Sequence, residues 1–397
     1  MPIPVAAWLA RMSLEGRARR VIDSIADTLL DREFSSNAVR RVQIYGARSR
    51  ICFSQIYPVL RLAPEAKLRA GIEIRYTDID QLRQAVRPPR TADVVLIQPW
   101  FTMPPGEFVN LLAQIRAANP DATLIFLDSY AHNDLRFARY IDPYIDRYVK
   151  KSLFRDRRRY LQGTFGDTSL TDHFGRLYGC PQPRVDWRVP ETILAKLHLG
   201  PGFFTAPGLL DGFFGAPPAF SASRPIDLQA RLGTEGSGWY KAMRSDALGR
   251  AARLPGRLAL GAGLSRRQFL AELRATKMVF SPFGYGELCW RDIEGFLTGS
   301  VVIKQDMGHL ETRPDLFKPW VTYAPVAWDF SDLAETYARL QDSPGLRAQI
   351  AENAWQTVRQ YLEHALVPDL LGMLSALPVA RPTRPALRTA AEPAPAA

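Results

Sequence analysis

Short apolar runs alternate with segments of helical character along most of the chain. Four of these runs in the first half predict strands, at Arg41 to Tyr45, Ile72 to Tyr76, Asp93 to Gln98 and Thr123 to Leu127. Strands that alternate with helices indicate a parallel sheet. In such sheets the functional residues gather beyond the carboxyl ends of the strands, so the loops after these runs are the places to look for chemistry.

The same alternation returns in the second half. The predicted strands there begin at Ile226 and continue with Leu258 to Leu260, Met278 to Ser281 and Val301 to Lys304. The predicted helices are Trp239 to Ala252, Ser265 to Ala275, Asp329 to Leu340 and Pro344 to Tyr361. A chain of 397 residues with 47% hydrophobic content is long enough for two α/β domains.

These patterns divide the chain into five segments. They are an N-terminal amphipathic helical segment (1–35), a first Rossmann-like domain (36–198), a linker rich in Gly, Pro and Phe (199–225), a second Rossmann-like domain with closing helices (226–376) and a disordered tail (377–397). We expect the linker to pack over a cleft. The alternative is that its phenylalanines contact lipid, because exposed apolar loops often mark interaction surfaces.

The segment from Val279 to Asp306 carries the clearest chemical pattern. A buried strand leads into the glycine loop Gly284 to Gly286, where the backbone can approach a ligand closely, and a helix is predicted to follow at once. That helix would place Glu287, Arg291 and Glu294 on one face near its amino end, where unpaired N–H groups favour an anion. The pattern predicts a phosphate site. The alternative is an ordinary ladder of ion pairs along the helix.

Charge and cysteine content narrow the choice of partners and compartment. The formal net charge of +11 fits nucleic acid, an anionic membrane or phosphate-bearing substrates. The densest basic cluster, Lys150 to Arg159, is interpreted as a solvated helix face or as a contact with lipid headgroups. The three cysteines show neither metal-ligand nor redox spacing, which favours a reducing compartment. No membrane-spanning run or signal peptide is recognised, so a cytoplasmic protein is expected.

Five motifs follow one another between Ile226 and Leu362. They are ARLG, WYKAMR, SPFGYGELCWRDIEG, GSVVIKQDMGHLETRPDLF and TYAPVAWDFSDL. In this order they resemble the donor domain of bacterial group 1 glycosyltransferases of the GT-B fold and, more distantly, exostosin-type transferases. Upstream, LDSYAHNDLR and YIDRYVKKSLFRDRRRYL are similar to the acceptor half of the same proteins. The resemblance therefore spans most of the chain, although not its tail.

The resemblance implies an α/β fold of two Rossmann-like domains that face a cleft. It implies a UDP- or GDP-linked sugar bound by the second domain as a co-substrate, a glycan or lipid-linked acceptor bound by the first, and no cofactor or metal. The donor-binding residues that it implies are Arg231, Gly284, Tyr285, Gly286, Glu287, Arg291, Glu294, Lys304 and His309. Among these, Arg291 would meet the diphosphate, Glu294 the ribose, and Arg231 the charge of the leaving group.

The catalytic base and the stereochemistry are less well defined. Asp128 and His132 follow a first-domain strand and are the candidate bases, with a helix cap and an ordinary loop residue as their alternative roles. Retaining members of the wider fold often carry two glutamates one position further apart than Glu287 and Glu294, and Gly286 stands at the earlier place here. Whether the reaction inverts or retains configuration therefore stays open.

Metal binding and two other classes of protein are the alternatives to this hypothesis. The nearest approach to a metal-binding Asp pair, Asp78 and Asp80, is interpreted as a helix cap. A Rossmann-type dinucleotide enzyme is disfavoured because no G-x-G-x-x-G with a later ribose-binding acid is found. A non-catalytic basic protein that binds nucleotide or membrane remains the other alternative. The preferred hypothesis is a metal-independent enzyme of surface polysaccharide or glycolipid synthesis, with weak contact to the inner membrane and no nucleic-acid partner.

Overall fold

The computed structural model describes residues 32–47 and 49–375, and for Arg50 its backbone. The predicted disordered tail and almost all of the predicted N-terminal amphipathic segment lie outside these residues. Everything that follows concerns the described part of the chain.

The first half of the described chain forms one six-stranded sheet, a separate pair of short antiparallel strands and the flanking helices. Its strands are β1 (Arg40–Gly46), β2 (Ile72–Asp78), β3 (Val94–Gln98), β4 (Thr123–Leu127), β5 (Arg147–Lys150), β6 (Ser152–Phe154), β7 (Thr164–Phe165), β8 (Arg184–Val185) and β9 (Leu197–Leu199). Its helices are α1 (Arg50–Ala70), α2 (Ile79–Arg83), α3 (Pro105–Ala118), α4 (Ala138–Ile141), α5 (Ser169–Leu177) and α6 (Leu209–Phe213). Short 3-10 helices cover Arg157–Leu161, Glu191–Lys196 and Phe203–Thr205.

The second half repeats this plan. Its strands are β10 (Ile226–Ala230), β11 (Leu258–Leu260), β12 (Thr276–Phe280), β13 (Val301–Gln305), β14 (Leu310–Thr312) and β15 (Ala324–Val326). Its helices are α7 (Gly238–Ala251), α8 (Arg266–Arg274), α9 (Trp290–Thr298), α10 (Leu333–Gln341), α11 (Pro344–His364) and α12 (Leu366–Ser375).

The two main sheets share one strand order. The first runs β2-β1-β3-β4-β5-β9 and the second β11-β10-β12-β13-β15, with every neighbouring pair parallel. In both sheets the first strand of the chain occupies the second position, the next strand lies at the edge beside it, and the following strands add on the opposite side of the first strand. This is the doubly wound order, and ligands bind at the carboxyl ends of the strands where the direction of winding reverses. That point lies between β1 and β3 in the first sheet and between β10 and β12 in the second.

The apolar runs explain why these segments became strands. The five residues of β3 and of β4 are all buried, as expected for parallel strands that are covered by helices on both faces. Helix α1 begins where the Ser49 hydroxyl accepts from the Cys52 N–H, and it ends at Gly71, whose φ of 61° suits glycine. The predicted parallel α/β architecture is confirmed, and most predicted bounds differ from the observed ones by one or two residues.

A small antiparallel ladder joins the two sheets across the cleft. Strand β6 of the first half pairs with β14 of the second, with Leu153 opposite Glu311. The backbone N–H of Arg155 extends the ladder by donating to the carbonyl of His309 at 2.9 Å. The loop after β4 also meets the loop after β12, so the carboxyl edges of the two sheets face each other. Two doubly wound domains in this arrangement have the GT-B architecture.

The predicted interpretations of the basic cluster are wrong for its lysines and incomplete for its arginines. Lys150 ends β5 and Lys151 follows it, and both are buried, so neither belongs to a solvated helix face nor faces a lipid surface. Arg157 donates to Glu311 at 2.9 Å, and Arg155 lies 3.6 Å from Asp315. The cluster therefore ties the first domain to the second, because its partners lie across the β6–β14 ladder.

The linker is folded against the body of the protein. It contains a 3-10 helix and the short α6, and Phe203, Phe204 and Phe213 are buried, whereas Phe214 is exposed. The Phe203 ring stacks on Trp290 at 4.5 Å, at the start of α9. The alternative in which these aromatics touch lipid is therefore wrong for three of the five phenylalanines of the linker, because these three pack into the core.

Candidate functional site

The winding of the second sheet reverses between β10 and β12, and most of the predicted donor residues lie there. Arg231 directly follows β10, and Ser281 directly follows β12. The glycine loop then turns tightly, because the Gly284 N–H donates to the carbonyl of Gly286 at 3.0 Å. Helix α9 starts a few residues later. The topology thus places a close backbone turn and a helix start at the expected ligand position.

Two guanidinium groups face this turn, one from a buried and one from a half-buried arginine. Arg244, on α7, is 5% exposed, and a Cβ placed on Gly284 would lie 3.7 Å from its Nη2. Arg291, in the first turn of α9, donates from Nη2 to the carbonyl of Arg231 at 2.6 Å. The Nε atoms of both arginines are buried and have no hydrogen-bond partner. Burial lowers the pKa of Arg291, and the positive charge of Arg244 lowers it further.

The nearby carboxylates are committed to other cations. Asp292 is fully buried between Lys304, 3.2 Å away, and the Ser281 hydroxyl. Glu294 pairs with Arg266 on α8. Within residues 32–47 and 49–375, neither Arg244 nor Arg291 has a carboxylate within ion-pair distance. An uncompensated charge is costly when it is withdrawn from water, so two neighbouring guanidinium groups can accommodate an anion with more than one negative charge.

Three predicted donor residues are held by partners from the protein itself. Arg231 is fixed by Glu272, with Nε and Nη2 donating to its two oxygens at 2.9 and 2.6 Å. Glu294 accepts from Arg266, so a ribose would share that carboxylate with a guanidinium. Lys304 is fully buried beneath the glycine loop and donates to the carbonyl of Ser281 at 3.1 Å. These side chains therefore stabilise the glycine loop and the start of α9.

The start of α9 corrects one sequence-based expectation. The helix begins at Trp290, after the N-cap Cys289, so Glu287 lies before it and does not share a helical face with Arg291 and Glu294. The Asp292 carboxylate accepts from the Cys289 N–H at 2.9 Å and thereby fixes this later start.

Glu287 and His309 form a pair of their own at the boundary between the domains. Glu287 is 1% exposed, and its Oε1 lies 3.4 Å from Nε2 of His309. The imidazole ring of His309 is 5.1 Å from the ring of Trp328 and 6.1 Å from that of Phe154, which belongs to the first domain. The pair therefore lies where the β6–β14 ladder meets the glycine loop.

The glycine loop packs directly on the first domain. A Cβ placed on Gly286 would lie 1.8 Å from the carbonyl oxygen of Ala131, so no other residue fits at this position without moving the domains. Tyr285 stacks on Tyr240 of α7, with ring centroids 4.4 Å apart, and its hydroxyl accepts from the Ser237 N–H. The loop is thus held from both sides of the cleft.

Asp128 is a structural residue of this boundary. It is 2% exposed, accepts from Lys150 Nζ at 2.6 Å and from the Tyr148 hydroxyl at 2.8 Å, and receives the Tyr130 N–H at 2.9 Å. The same lysine donates to the carbonyl of His132 at 3.2 Å. Asp128 and Lys150 therefore shape the loop that touches Gly286, and the carboxylate is held by three donors of the protein itself.

His132 is better placed for proton transfer. Its ring lies 6.0 Å from that of Tyr285, and its Nδ1 is buried without a hydrogen-bond partner. Burial lowers its pKa, and the charge of Arg136 lowers it further, so the ring is neutral at neutral pH. A neutral imidazole with an unsatisfied nitrogen at a cleft can accept a proton. Of the two predicted bases, the geometry therefore favours His132.

Two residues of this site are not among the donor-binding residues expected from the sequence. Tyr240 and Arg244 lie one helical turn apart on α7, and the guanidinium carbon of Arg244 is 5.0 Å from the centre of the Tyr240 ring. The four-residue spacing of an aromatic residue and an arginine within WYKAMR is the sequence feature that could have indicated this pair.

Lys151 is also buried, which the sequence did not predict. Burial lowers its pKa to about 8, and its Nζ donates to the Ser129 carbonyl.

No group of three or more His, Cys, Asp and Glu side chains in the described part of the chain is arranged to hold a metal ion. None of the helices found there combines the length and apolar character that crossing a membrane requires. Asp78 is the N-cap of α2, as predicted, since its carboxylate accepts from the Asp80 N–H.

No protein-family model and no curated protein sequence matches the chain. Among solved structures, an alpha-glucosyltransferase in complex with UDP is similar at a TM-score of 0.48 and 10% identity, covering 85% of this chain and 100% of the other. Anabaena HepE in complex with UDP-glucose is similar at a TM-score of 0.49 and 11% identity, covering 85% of this chain and 100% of the other. The lipopolysaccharide outer core galactosyltransferase WaaB is similar at a TM-score of 0.41 and 10% identity, covering 81% of this chain and 99% of the other. Similarities of this size carry no argument about activity, and the fold described above rests on its own topology.

Proposed function

We propose that this protein is a glycosyltransferase that moves a sugar from a nucleotide-sugar donor to an acceptor in the cleft between its domains. The observation that carries the proposal is the pair of guanidinium groups of Arg244 and Arg291 beside the glycine loop, whose Nε atoms are buried without a hydrogen-bond partner and which have no carboxylate of the described residues within ion-pair distance. Arginine keeps its proton in proteins, so the pair is stabilised by an anion and not by deprotonation. A diphosphate matches the charge, the helix start and the close backbone turn.

The same groups suit the departure of a nucleoside diphosphate. When the bond between the sugar and the phosphate breaks, negative charge grows on the leaving oxygen, and cations already in place lower the barrier. Arg291 is positioned for this by the carbonyl of Arg231, which is itself fixed by Glu272. Arg231 therefore acts as a positioning residue, and its charge is largely offset by its own carboxylate partner.

His132 is the proposed base for an inverting reaction. An acceptor hydroxyl at Nδ1 would supply the hydrogen bond that this atom lacks, and the neutral ring would take the proton as the oxygen attacks the sugar. The resemblance of the sequence motifs supports a UDP- or GDP-linked donor, a glycan or lipid-linked acceptor and a role in bacterial surface polysaccharide or glycolipid synthesis. It also supports a cytoplasmic location, with transient contact at the inner face of the membrane.

The proposal is tested by thermal unfolding with UDP, GDP, CMP, NAD and a DNA duplex. A ligand at about 100 times its Kd stabilises the native state by about 2.7 kcal/mol, so binding is readily seen. We expect UDP or GDP to raise the Tm, and radiolabelled sugar from the matching nucleotide sugar to appear in a glycan or lipid fraction. Stabilisation by NAD or DNA alone, with no nucleotide-sugar turnover, would overturn the proposal.

A further inference from the structure

A second site of unneutralised positive charge lies at the opposite edge of the second sheet. A cavity of about 300 Å³ opens at the amino ends of β12 and β13, far from the glycine loop. The polar and charged side chains among its lining residues are Ser221, Ser223, Arg224, Lys277 and Arg347. The described lining thus holds three cations and no carboxylate. Its volume lies at the lower end of the range for small-molecule sites.

Arg224 is the most deeply placed of these cations. It is 8% exposed, and its Nη1 donates to the carbonyl of Thr276 at 2.9 Å and to the Ser300 hydroxyl at 3.2 Å, while Nη2 donates to the carbonyl of Thr298 at 2.9 Å. These contacts use three of the five N–H donors of a guanidinium. No carboxylate of the described chain neutralises it, and burial lowers its pKa.

The other two cations are only partly compensated. Lys277 pairs with Asp227 at 2.6 Å. Arg347, in the first turns of α11, donates to the carbonyls of Gln341 and Leu340, and burial lowers its pKa, with the charge of Asp227 offsetting part of that effect. One carboxylate therefore faces three cations, which leaves two positive charges around the cavity.

The start of α11 adds to the positive potential. Pro344 lines the cavity as the first residue of this long helix, and the Ser343 side chain makes no capping hydrogen bond. The first N–H groups of a helix carry partial positive charge and favour an anion. The exposed hydroxyls of Ser221 and Ser223 supply further donors at the mouth.

We propose that this cavity is a second anion-binding site, which takes a small soluble ligand bearing two or more phosphate charges. The site is separate from the donor site. Lys277 lies near the start of β12 and Ser281 just after its end, so the two edges are about 13 Å apart at roughly 3.3 Å per residue. The proposal does not depend on the proposed function, because no residue of the cavity contacts Arg244 or Arg291.

Isothermal titration of the full-length protein with inorganic pyrophosphate tests this inference. We expect two pyrophosphate ions per chain in the wild type, and one in an Arg244→Gln/Arg291→Gln variant that lacks the donor cradle. On that background, Lys277→Gln/Arg347→Gln should weaken the remaining binding about tenfold or more, since two charge-assisted contacts are lost. Arg253→Gln, which removes an exposed arginine of the same domain, should leave it unchanged.

A second variant guards against loss of folding. Ser223→Asp adds a negative charge at the exposed mouth without removing any contact of Arg224, and it should weaken pyrophosphate binding with an unchanged Tm. If the cradle variant binds no pyrophosphate, or binds it equally well after both the cavity and the mouth are changed, the inference is overturned. If the wild type binds one ion that depends on Lys277 and Arg347 alone, the cavity is supported and the donor cradle fails.

Flotation with vesicles distinguishes a free phosphate from a lipid headgroup. Vesicles with about one fifth phosphatidylinositol phosphate should retain the wild type and the Lys277→Gln/Arg347→Gln variant to the same extent, because the cavity is concave and the ligand is small. Retention that depends on these two residues, without binding of soluble pyrophosphate, would overturn the inference in favour of a membrane contact.

Discussion

Replacing Arg244 and Arg291 by glutamine should separate ligand binding from folding. A hydrogen bond to a charged group contributes about 1.5 to 3 kcal/mol, so each single variant should bind the nucleoside diphosphate roughly 10- to 150-fold more weakly. Glutamine keeps a polar amide at the end of a shorter side chain and removes the charge. Arg291→Lys, which keeps the charge and loses the planar fork, should fall between the wild type and Arg291→Gln.

The effect on stability should have the opposite sign from that of an ordinary buried residue. Two unit charges about 4 Å apart repel by roughly 4 kcal/mol at an effective dielectric constant of about 20, and by less at longer range. The charge of Arg244 lowers the pKa of Arg291, and the repulsion behind this shift disappears in the variants. The loss of the bond from Arg291 to the Arg231 carbonyl, about 1 kcal/mol, works against that gain. We therefore expect the ligand-free variants to be as stable as the wild type or more stable.

Urea unfolding of the ligand-free protein and titration with UDP and GDP measure the two effects. Arg267→Gln is the matched control, since Arg267 is an exposed arginine of the same domain and its loss should change neither quantity. A fall of several kcal/mol in the unfolding free energy, with unchanged nucleotide affinity, would show that the two arginines serve the fold. The reasoning about an unneutralised anion cradle would then be refuted.

Three further outcomes are expected. Gly286→Ala should abolish transfer and lower the Tm, because its Cβ would meet the Ala131 carbonyl oxygen at 1.8 Å. The control Gly249→Ala places its Cβ in open space and should be neutral or stabilising. Equal Tm values for the two variants would contradict this prediction. His132→Gln should lose transfer but keep UDP binding. In the wild type, the pKa of His132 is lowered from its ordinary value of 6.5, so the rate should be constant at neutral pH and decline as the pH falls through the lowered pKa. The contribution of this residue to stability is complete above pH 6.5 and is lost as the pH falls through the same lowered pKa. A rate that declines towards high pH would exclude this base. Transfer should survive EDTA, since arginines supply the cation; loss that is restored by manganese would show a metal requirement.

The strands and the glycine loop could be predicted because they depend on local sequence. Buried parallel strands are continuous apolar runs, and β4 is predicted to the residue by TLIFL. The helix α9 was harder, because a spacing of four or seven residues does not show where a helix starts. Here the Asp292 carboxylate bonds the N–H of Cys289 and moves the start past Glu287. One local hydrogen bond therefore changed which side chains share a face.

The roles of the lysines at the end of β5 could not be predicted from the sequence. Basic residues in a row read as a solvated surface, yet Lys150 and Lys151 are buried. Lys150 is neutralised by Asp128, which lies 22 positions earlier and follows the neighbouring strand. Such a pairing depends on strand order, and strand order comes from tertiary packing. The sequence therefore marked Asp128 as a candidate base, when its proximity to Lys150 makes it a support for the loop.

The buried cations of the described chain give the strongest argument for where anions bind. Three have an aspartate partner, namely Arg116 with Asp146, Lys150 with Asp128 and Lys304 with Asp292. The other three are Lys151, Arg224 and Arg244, for which the described residues provide no carboxylate within ion-pair distance. Lys151 can relieve its burial by losing a proton, because its pKa is about 8. The two arginines cannot lose a proton, and each lies at one end of the second sheet beside another arginine and a helix start, so an anion that the described residues do not supply would neutralise them.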